Sequence, residues 1–285
     1  MNKTKLLAIV LAVVLVISLS VNVYFGIQNA SLQAQAKELE MISILTQVQS
    51  QVTAELKKIG GSVVYAVEQI SAAGLGGDQA RAILSALATN SSFIVDALTA
   101  DANNNVVTVV PSTYSNLTGT YLGKLDYLNT NYRTPIEPTM TCVMPLVEGF
   151  DGIVICAPIF NGNDEFVGSV NVVLNPAVLL NATVSSAIAG TPYAIWAMQT
   201  NGLVLYDSVH QDEVGLMLFS DPRLSQYPQT LAIMHEIINE PSGHTTYQYP
   251  VILGSEQLVN KEAQWKTIGT YGTEWRLVIV QTINP

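Results

Sequence analysis

Residues 194–207 read AIWAMQTNGLVLYD. Two apolar runs, rich in aliphatic and aromatic side chains, flank Asn201–Gly202. Asn-Gly suits a two-residue hairpin turn, because both turn residues take positive φ there. Tyr193–Gln199 and Leu203–Asp207 are therefore read as a β-hairpin. Outward from it, His210–Glu240 is irregular and helical. Strands follow at Gly243–Pro250, Leu258–Tyr271 and Glu274–Thr282. The unit runs strand, turn, strand, helical insert, three strands.

The preceding half has the same order. Phe93–Thr99 and Val106–Val110 flank the turn-rich DANNN at Asp101–Asn105. Pro111–Pro138 is irregular and rich in Tyr, Asn, Thr and Gly. Three strands follow, Thr139–Val147, Gly152–Phe160 and Glu165–Leu174, with NGND at Asn161–Asp164 as a hairpin turn. Pro176–Ala189 reads as a linking helix. Each half closes on Asn-Pro, at Asn175–Pro176 and Asn284–Pro285. Identity between the halves is low, so the duplication rests on element order.

The N-terminal part is built differently. Leu6–Ile27, LLAIVLAVVLVISLSVNVYFGI, has no charged side chain. Its 22 residues would rise about 33 Å as a helix, against a hydrocarbon core of about 30 Å. Lys3 and Lys5 precede the span, and the next basic residue is Lys37. The positive-inside rule puts the N-terminus in the cytoplasm and the rest outside. A cleaved signal peptide is the rival reading; its apolar region would be about 7–15 residues, shorter than this one. Beyond the span, Leu39, Ile42, Leu45, Val48, Val52, Leu56 and Ile59 recur every three or four residues, which predicts a stalk helix. Gly60–Gly61 is a candidate bend, and Gly74–Gly77 (GLGG) a break. Asp78 is a candidate cap for a short helix at Gln79–Ala88. No second span of similar length follows, so a single anchor without a cytoplasmic output domain is expected.

Net charge is −10 with no basic cluster, which excludes nucleic-acid binding. There is no G-x-S-x-G, S-x-x-K, Walker loop or G-x-G-x-x-G. His235–Glu236 begins a zincin-like pattern, but Asn239 stands where the second His is needed. No metal, no cofactor and no catalytic residue is expected, and the chain is read as a non-enzyme. Cys142 and Cys156 flank VMPLVEGFDGIVI, two strands and a turn. They are read as a disulfide worth about 3 kcal/mol in the chain-entropy model, with two buried free thiols as the alternative.

The second half carries a further pattern: AIWAMQTNGLVLYD, then DEVGLMLFSDPRL (212–224), SGHTTYQYP (242–250) and VNKEAQWKTIGTYGTEWRLVIV (259–280). This resembles the Cache family of extracytoplasmic sensor domains, relatives of PAS. Asn201–Gly202, Tyr206, Val214–Gly215, Tyr247, Lys261, Trp265 and Gly272–Trp275 carry the likeness. Gly119–Gly123 and APIFNGNDEFVGSVNVVL (157–174) resemble a second module. The resemblance implies an α+β double Cache fold: an N-terminal transmembrane helix continuing into a long stalk helix, then two PAS-like modules with antiparallel sheets. The expected segments are 1–27 (cytoplasmic tip and anchor), 28–92 (stalk and helical segment), 93–175 (membrane-distal module), 176–190 (linker helix) and 191–285 (membrane-proximal module).

The resemblance also implies a ligand in the distal module. A Tyr, Arg, Trp, Tyr and Asp set grips amino acids in one subgroup of the family. Arg133 matches the carboxylate-binding arginine, with Tyr121 or Tyr132 beside it and Tyr114, Asp126 and Thr141 as further candidates. The tryptophan is missing, since Thr134–Pro135 follows Arg133, and Val173 stands where the ammonium-binding Asp would be. A carboxylate or uncharged metabolite is therefore expected. Trp196, Tyr206, Tyr247 and Lys261 either line a second, proximal pocket or build its core. The expected role is a membrane-anchored sensor that passes a signal or solute to a separate membrane protein, with a homodimer through the stalk. Rival readings are an adhesive surface protein and an extracytoplasmic hydrolase.

Overall fold

A computed structural model describes residues 3–124, 126, 128–132 and 134–283, with side chains described from residue 15 on except at 16. The chain divides into two units, Met1–Ile44 and Leu45–Pro285. One helix, α1 (Lys3–Ala73), supplies the first and enters the second. The expected span Leu6–Ile27 lies on α1, but the side chains of 6–14 and 16 are outside the described residues. Those described in the span, from Leu15 and Ile17 to Phe25 and Ile27, are exposed. Among the described residues no helix is long and apolar enough to cross a membrane.

Within the second unit α1 is no free stalk. Val48, Val52, Leu56, Ile59, Val63, Val67 and Ile70 are all buried, one every three or four residues. Leu39, placed on the same stripe from the sequence, is exposed. Gly60–Gly61 stays helical, and Gly74, at φ +87°, ends the helix. Next, α2 (Gly77–Thr89) is capped by Gly76 without a side-chain bond, so Asp78 is not the cap but lies in the first turn. There its charge suits the helix dipole.

The first sheet contains β1 (Ile94–Asp101), β2 (Val106–Val110), β3 (Thr139–Met140), β4 (Met144–Pro145), β5 (Asp151–Phe160) and β6 (Phe166–Leu174), in the order β2-β1-β6-β5-β3 with β4 on β5. The single strand expected over Thr139–Val147 is thus two short pieces. Helix α3 (Pro176–Ile188) starts at Asn175, whose side chain accepts from the Ala177 and Val178 amides at 2.9 and 3.3 Å, with Pro176 in the first turn. The second sheet, in the order β8-β7-β11-β10-β9, uses β7 (Ala194–Gln199), β8 (Val204–Asp207), β9 (Ser242–Pro250), β10 (Leu258–Thr270) and β11 (Thr273–Ile283). Helix α4 (Pro228–Asn239) packs on β9. Matching β1-β6-β5 to β7-β11-β10 superposes the two orders, so the repeat read from element order is a repeat of sheet topology.

The sheets are tied directly to each other. The Met140 amide donates to the Tyr271 carbonyl at 2.9 Å, the Thr273 hydroxyl donates to the Met140 carbonyl at 2.5 Å, and the Val143 amide donates to Gln199 Oε1 at 2.6 Å.

The cysteines are not bridged: Cys142 is exposed and Cys156 buried, both free. Register explains the correction. β3 meets β5 with Thr139 opposite Cys156, at 3.2 Å from the Thr139 hydroxyl to the sulfur. Cys142 lies three residues further on. At about 3.3 Å per residue, that is beyond disulfide reach.

Candidate functional site

β1 places an acid where the sheet is buried on both faces. Its residues 96–100 are all buried, and alternation puts Asp96, Leu98 and Ala100 on one side. Register sets Asp96 beside Val173 and Leu98 beside Asn171 on β6, and these beside Val154 and Cys156 on β5. Over this face is a pocket of about 410 Å³, mouth included, lined among others by Leu98, Leu122, Val154, Asn171, Val173 and Glu148. Glu148 arrives on the tight turn between β4 and β5. The Gly149 amide closes that turn onto the Leu146 carbonyl at 3.0 Å, with Gly149 at φ +89°.

The polar groups here lack partners. Asp96 is fully buried, and neither of its carboxyl oxygens accepts a hydrogen bond among the described residues. Glu148 Oε1 and Asn171 Oδ1 are buried and equally unpartnered, while Asn171 Nδ2 donates to Ser169 Oγ at 2.8 Å. The Asp96 and Glu148 carboxyls are close enough for the charge of one to act on the other. Burial, then the Glu148 charge, push the Asp96 carboxyl up to about 8. A buried carboxylate beside a second carboxyl is strongly disfavoured unless a proton or a cation accompanies it, and Asp96 is the group held protonated here. Chemically, the pocket is an acidic cradle with no positive side chain among its described lining residues.

Among the described residues, the distal side chains singled out from the sequence do not converge. Arg133 lies outside the described residues, as does Tyr127. Tyr114 packs against a cluster of Leu98, Ala100, Val106, Val109 and Leu117. Tyr121 is exposed and bridges to Asn105. Asp126 is exposed. Tyr132 is exposed, edge-on to Phe160 at 5.3 Å, and its hydroxyl accepts from Thr134. Thr141 is buried, its hydroxyl accepting the Val154 amide at 3.0 Å. Asp96, Glu148 and Asn171 were missed. The signal for Asp96 was present: a lone acid on the inward phase of FIVDALTA.

Three of the four proximal residues do converge. Trp196, Tyr247 and Lys261 line a second cavity together with Asp207, His210, Glu213 and Tyr249. Tyr206 does not join them. A register shift in the β7–β8 pairing puts Val204 and Asp207 on the cavity face, and the Tyr206 hydroxyl reaches Asn181 of α3 at 3.3 Å. Trp265 is core: it covers Gly243, where a Cβ would meet its ring at 2.1 Å, and its indole nitrogen donates to the Glu240 carbonyl at 3.1 Å.

Comparison with known proteins agrees with this architecture. Residues 54–176 match the family described as HK/GC/chemotaxis protein-like, sensor domain. No curated protein matches the chain. Among solved structures, an extracellular ligand binding receptor from Desulfohalobium retbaense is 28% identical, with TM-score 0.67 over 84% of this chain. This chain spans 39% of that receptor's length. The ligand-binding domain of the Pseudomonas aeruginosa amino-acid chemoreceptor PctB, solved with L-Arg, is 15% identical with TM-score 0.57, covering 86% of this chain and 96% of its own. The ligand-binding domain of the Pseudomonas fluorescens chemoreceptor CtaA, solved with L-alanine, is 14% identical with TM-score 0.56, covering 89% and 98%. The last two show the fold. With the two sheets of like topology, these matches show the double Cache fold, with residues 54–176 similar to the sensor domain of histidine kinases, guanylate cyclases and chemotaxis proteins.

Proposed function

We propose that this chain is a membrane-anchored, extracytoplasmic receptor that binds a small molecule through its positively charged group, in the pocket under Asp96 and Glu148. The observation that carries the reading is a set of buried, unpartnered oxygens: Glu148 and Asn171 line the cavity, and Asp96 stands behind them, beside Val173 and two residues from Leu98 on the same sheet face. An ammonium entering there would meet acceptors already desolvated, so little polar surface is left unpaired on binding. PctB and CtaA, solved with L-Arg and L-alanine, hold ligands that carry an ammonium. The reading reverses the carboxylate expected from Arg133.

The anchor reading rests on the uncharged run Leu6–Ile27 and on the basic residues before it. It makes the first sheet the membrane-distal module and the second the proximal one. The relay reading rests on α1. Gln49 Nε2 donates to the Thr267 carbonyl at 2.6 Å, and Tyr271 Oη donates to the Lys57 carbonyl at 3.1 Å, both joining α1 to the second sheet. Ser71 Oγ donates to the Phe160 carbonyl at 2.8 Å, joining it to the first. Occupancy that shifts either sheet is then felt by α1.

The test is a thermal-shift series on the full chain in detergent. Primary amines are compared with the carboxylates and alcohols of the same carbon skeletons. The expected result is a rise in Tm with amines alone, lost in Asp96→Asn. Equal shifts from the carboxylates, or shifts that survive Asp96→Asn, contradict the reading.

A further inference from the structure

We infer that the second sheet carries its own ligand site, independent of the first and built for a compact zwitterion. The cavity lies between the sheet and α4, with Trp196, Tyr247 and Tyr249 as aromatic walls. Lys261 projects into it. Its ammonium stands 4.8 Å from the centre of the Tyr249 ring, and it makes no hydrogen bond or ion pair among the described residues. A half-buried ammonium with its N–H donors unused is a receptor for an anion. The ring beneath it stabilises the charge without neutralising it.

Across the cavity stand two carboxylates, each half engaged. Asp207 Oδ1 accepts the Val209 and His210 amides at 2.7 Å each, and Glu213 Oε2 accepts the Tyr249 hydroxyl at 2.7 Å. Asp207 Oδ2 and Glu213 Oε1 accept no hydrogen bond among the described residues, which leaves each open to a donor. Burial draws the Lys261 amine down, and Asp207 and Glu213 hold it up; burial draws the Glu213 carboxyl up. The cavity wall thus sets one amine against two carboxyl groups, with no ion pair formed between them. A plain carboxylate would reach Lys261 but face Asp207 and Glu213. A plain amine would reach the carboxylates but face Lys261. A molecule carrying both charges engages both sides.

The site also has an entrance. Trp196, Asp207, His210 and Lys261 line the enclosed cavity and the open groove outside it. The charged groups thus stand at the threshold, where a ligand passes on its way in.

The test uses the full chain carrying Asp96→Asn, which silences the first pocket. A panel of L-amino acids is measured, each beside the amine lacking its carboxylate and the acid lacking its amine. Binding is followed by Trp fluorescence, which Trp196 reports, and by calorimetry. The expected result is saturable binding of at least one zwitterion, with its single-charge counterparts at least tenfold weaker. Lys261→Gln and Asp207→Asn should each weaken the zwitterion at least tenfold, with far-UV circular dichroism unchanged. Lys261→Gln in the otherwise native chain should leave amine binding at the first pocket unaltered, so the two readings fail separately. No zwitterion bound, an acid or amine bound as well as its zwitterion, or affinity retained in Lys261→Gln overturns the inference.

Discussion

The ring of Tyr271 fills the space that a Cβ on Gly60 would take, with its nearest ring atoms 2.4 Å from that position. Tyr271 and Gly272, at φ +53° and +87°, form the two-residue turn between β10 and β11. A bulky residue at positive φ is disfavoured by about 1 kcal/mol or more. Three contacts offset this: the ring on Gly60, the hydroxyl on the Lys57 carbonyl and the carbonyl receiving the Met140 amide. One residue thereby joins α1, the first sheet and the second.

Gly60→Ala and Gly61→Ala should therefore move stability in opposite directions. Nothing lies within 4 Å of a Cβ at Gly61, so alanine there gains helix propensity, about 1 kcal/mol. At Gly60 the same gain is outweighed by displacement of the Tyr271 ring and its hydrogen bond, about 2 kcal/mol. Thermal unfolding of the two variants should show Tm rising by a few degrees for Gly61→Ala and falling for Gly60→Ala. A rise in both would show that Tyr271 does not hold this contact.

The Asp96 carboxyl gives stability a definite pH dependence. Its folded-state pKa is pushed from 3.8 to about 8, so between those values the folded chain holds a proton that the unfolded chain has released. This contribution to stability is complete below the unfolded pKa and is lost as pH rises towards 8. Asp96→Asn should remove that slope, raising Tm at pH 8 more than at pH 5. Parallel Tm profiles for variant and native chain would count against a protonated Asp96 in the folded state.

An amine bound at Asp96 and Glu148 should displace that proton. Calorimetric titration at pH 7 in buffers of different ionisation enthalpy should give apparent binding enthalpies that differ by the proton released. Identical enthalpies in all buffers would mean that the cation does not meet the protonated pair.

Arg276 closes α4 from beneath. Although buried, its guanidinium donates to the Ile237 and Ile238 carbonyls at 3.0 and 2.8 Å and to Glu274 at 3.0 Å. Those carbonyls lie at the helix C-terminus, where a cation is favoured. Arg276→Met should cost about 2–4 kcal/mol, read by chemical denaturation, through unpaired buried carbonyls. A loss below about 0.5 kcal/mol would show that water replaces it.

The thiols differ in reach. Cys142 should react with iodoacetamide in the folded chain, and Cys156 only after unfolding, since burial pushes the Cys156 thiol up to about 12. Mass spectrometry of the native chain should show one label; two labels, or none without reductant, would contradict the free-thiol assignment.

Much of the fold was legible because its signals are local. Asn201–Gly202 and Asn161–Asp164 mark turns, although only Gly202 of the first pair takes positive φ and the loop is longer than the expected two residues, and Asn175–Pro176 marks a helix start. The sheet order then repeats as the element order does. What failed was long-range. The Cys142–Cys156 pair depended on a register set three residues earlier by Thr139. Asp78 lost the cap because Gly76 already takes the position before the helix. The distal ligand set is a different case: it was carried over by likeness, its Arg133 lies outside the described residues, and Tyr114, Tyr121 and Thr141 make the contacts given above. The second cavity was partly legible because Trp196, Tyr247 and Lys261 lie on strands of known register. Glu213 and Asp207 were not, because their place depends on the helical insert and on the β7–β8 register shift.

The most direct measurement is a crystal structure of the protein with the amine that raises its Tm most. The account puts the ligand nitrogen within ordinary hydrogen-bonding distance of both Asp96 and Glu148, under the Leu146–Phe150 turn. An amine seated elsewhere, with those two carboxyls still facing each other alone, would contradict it.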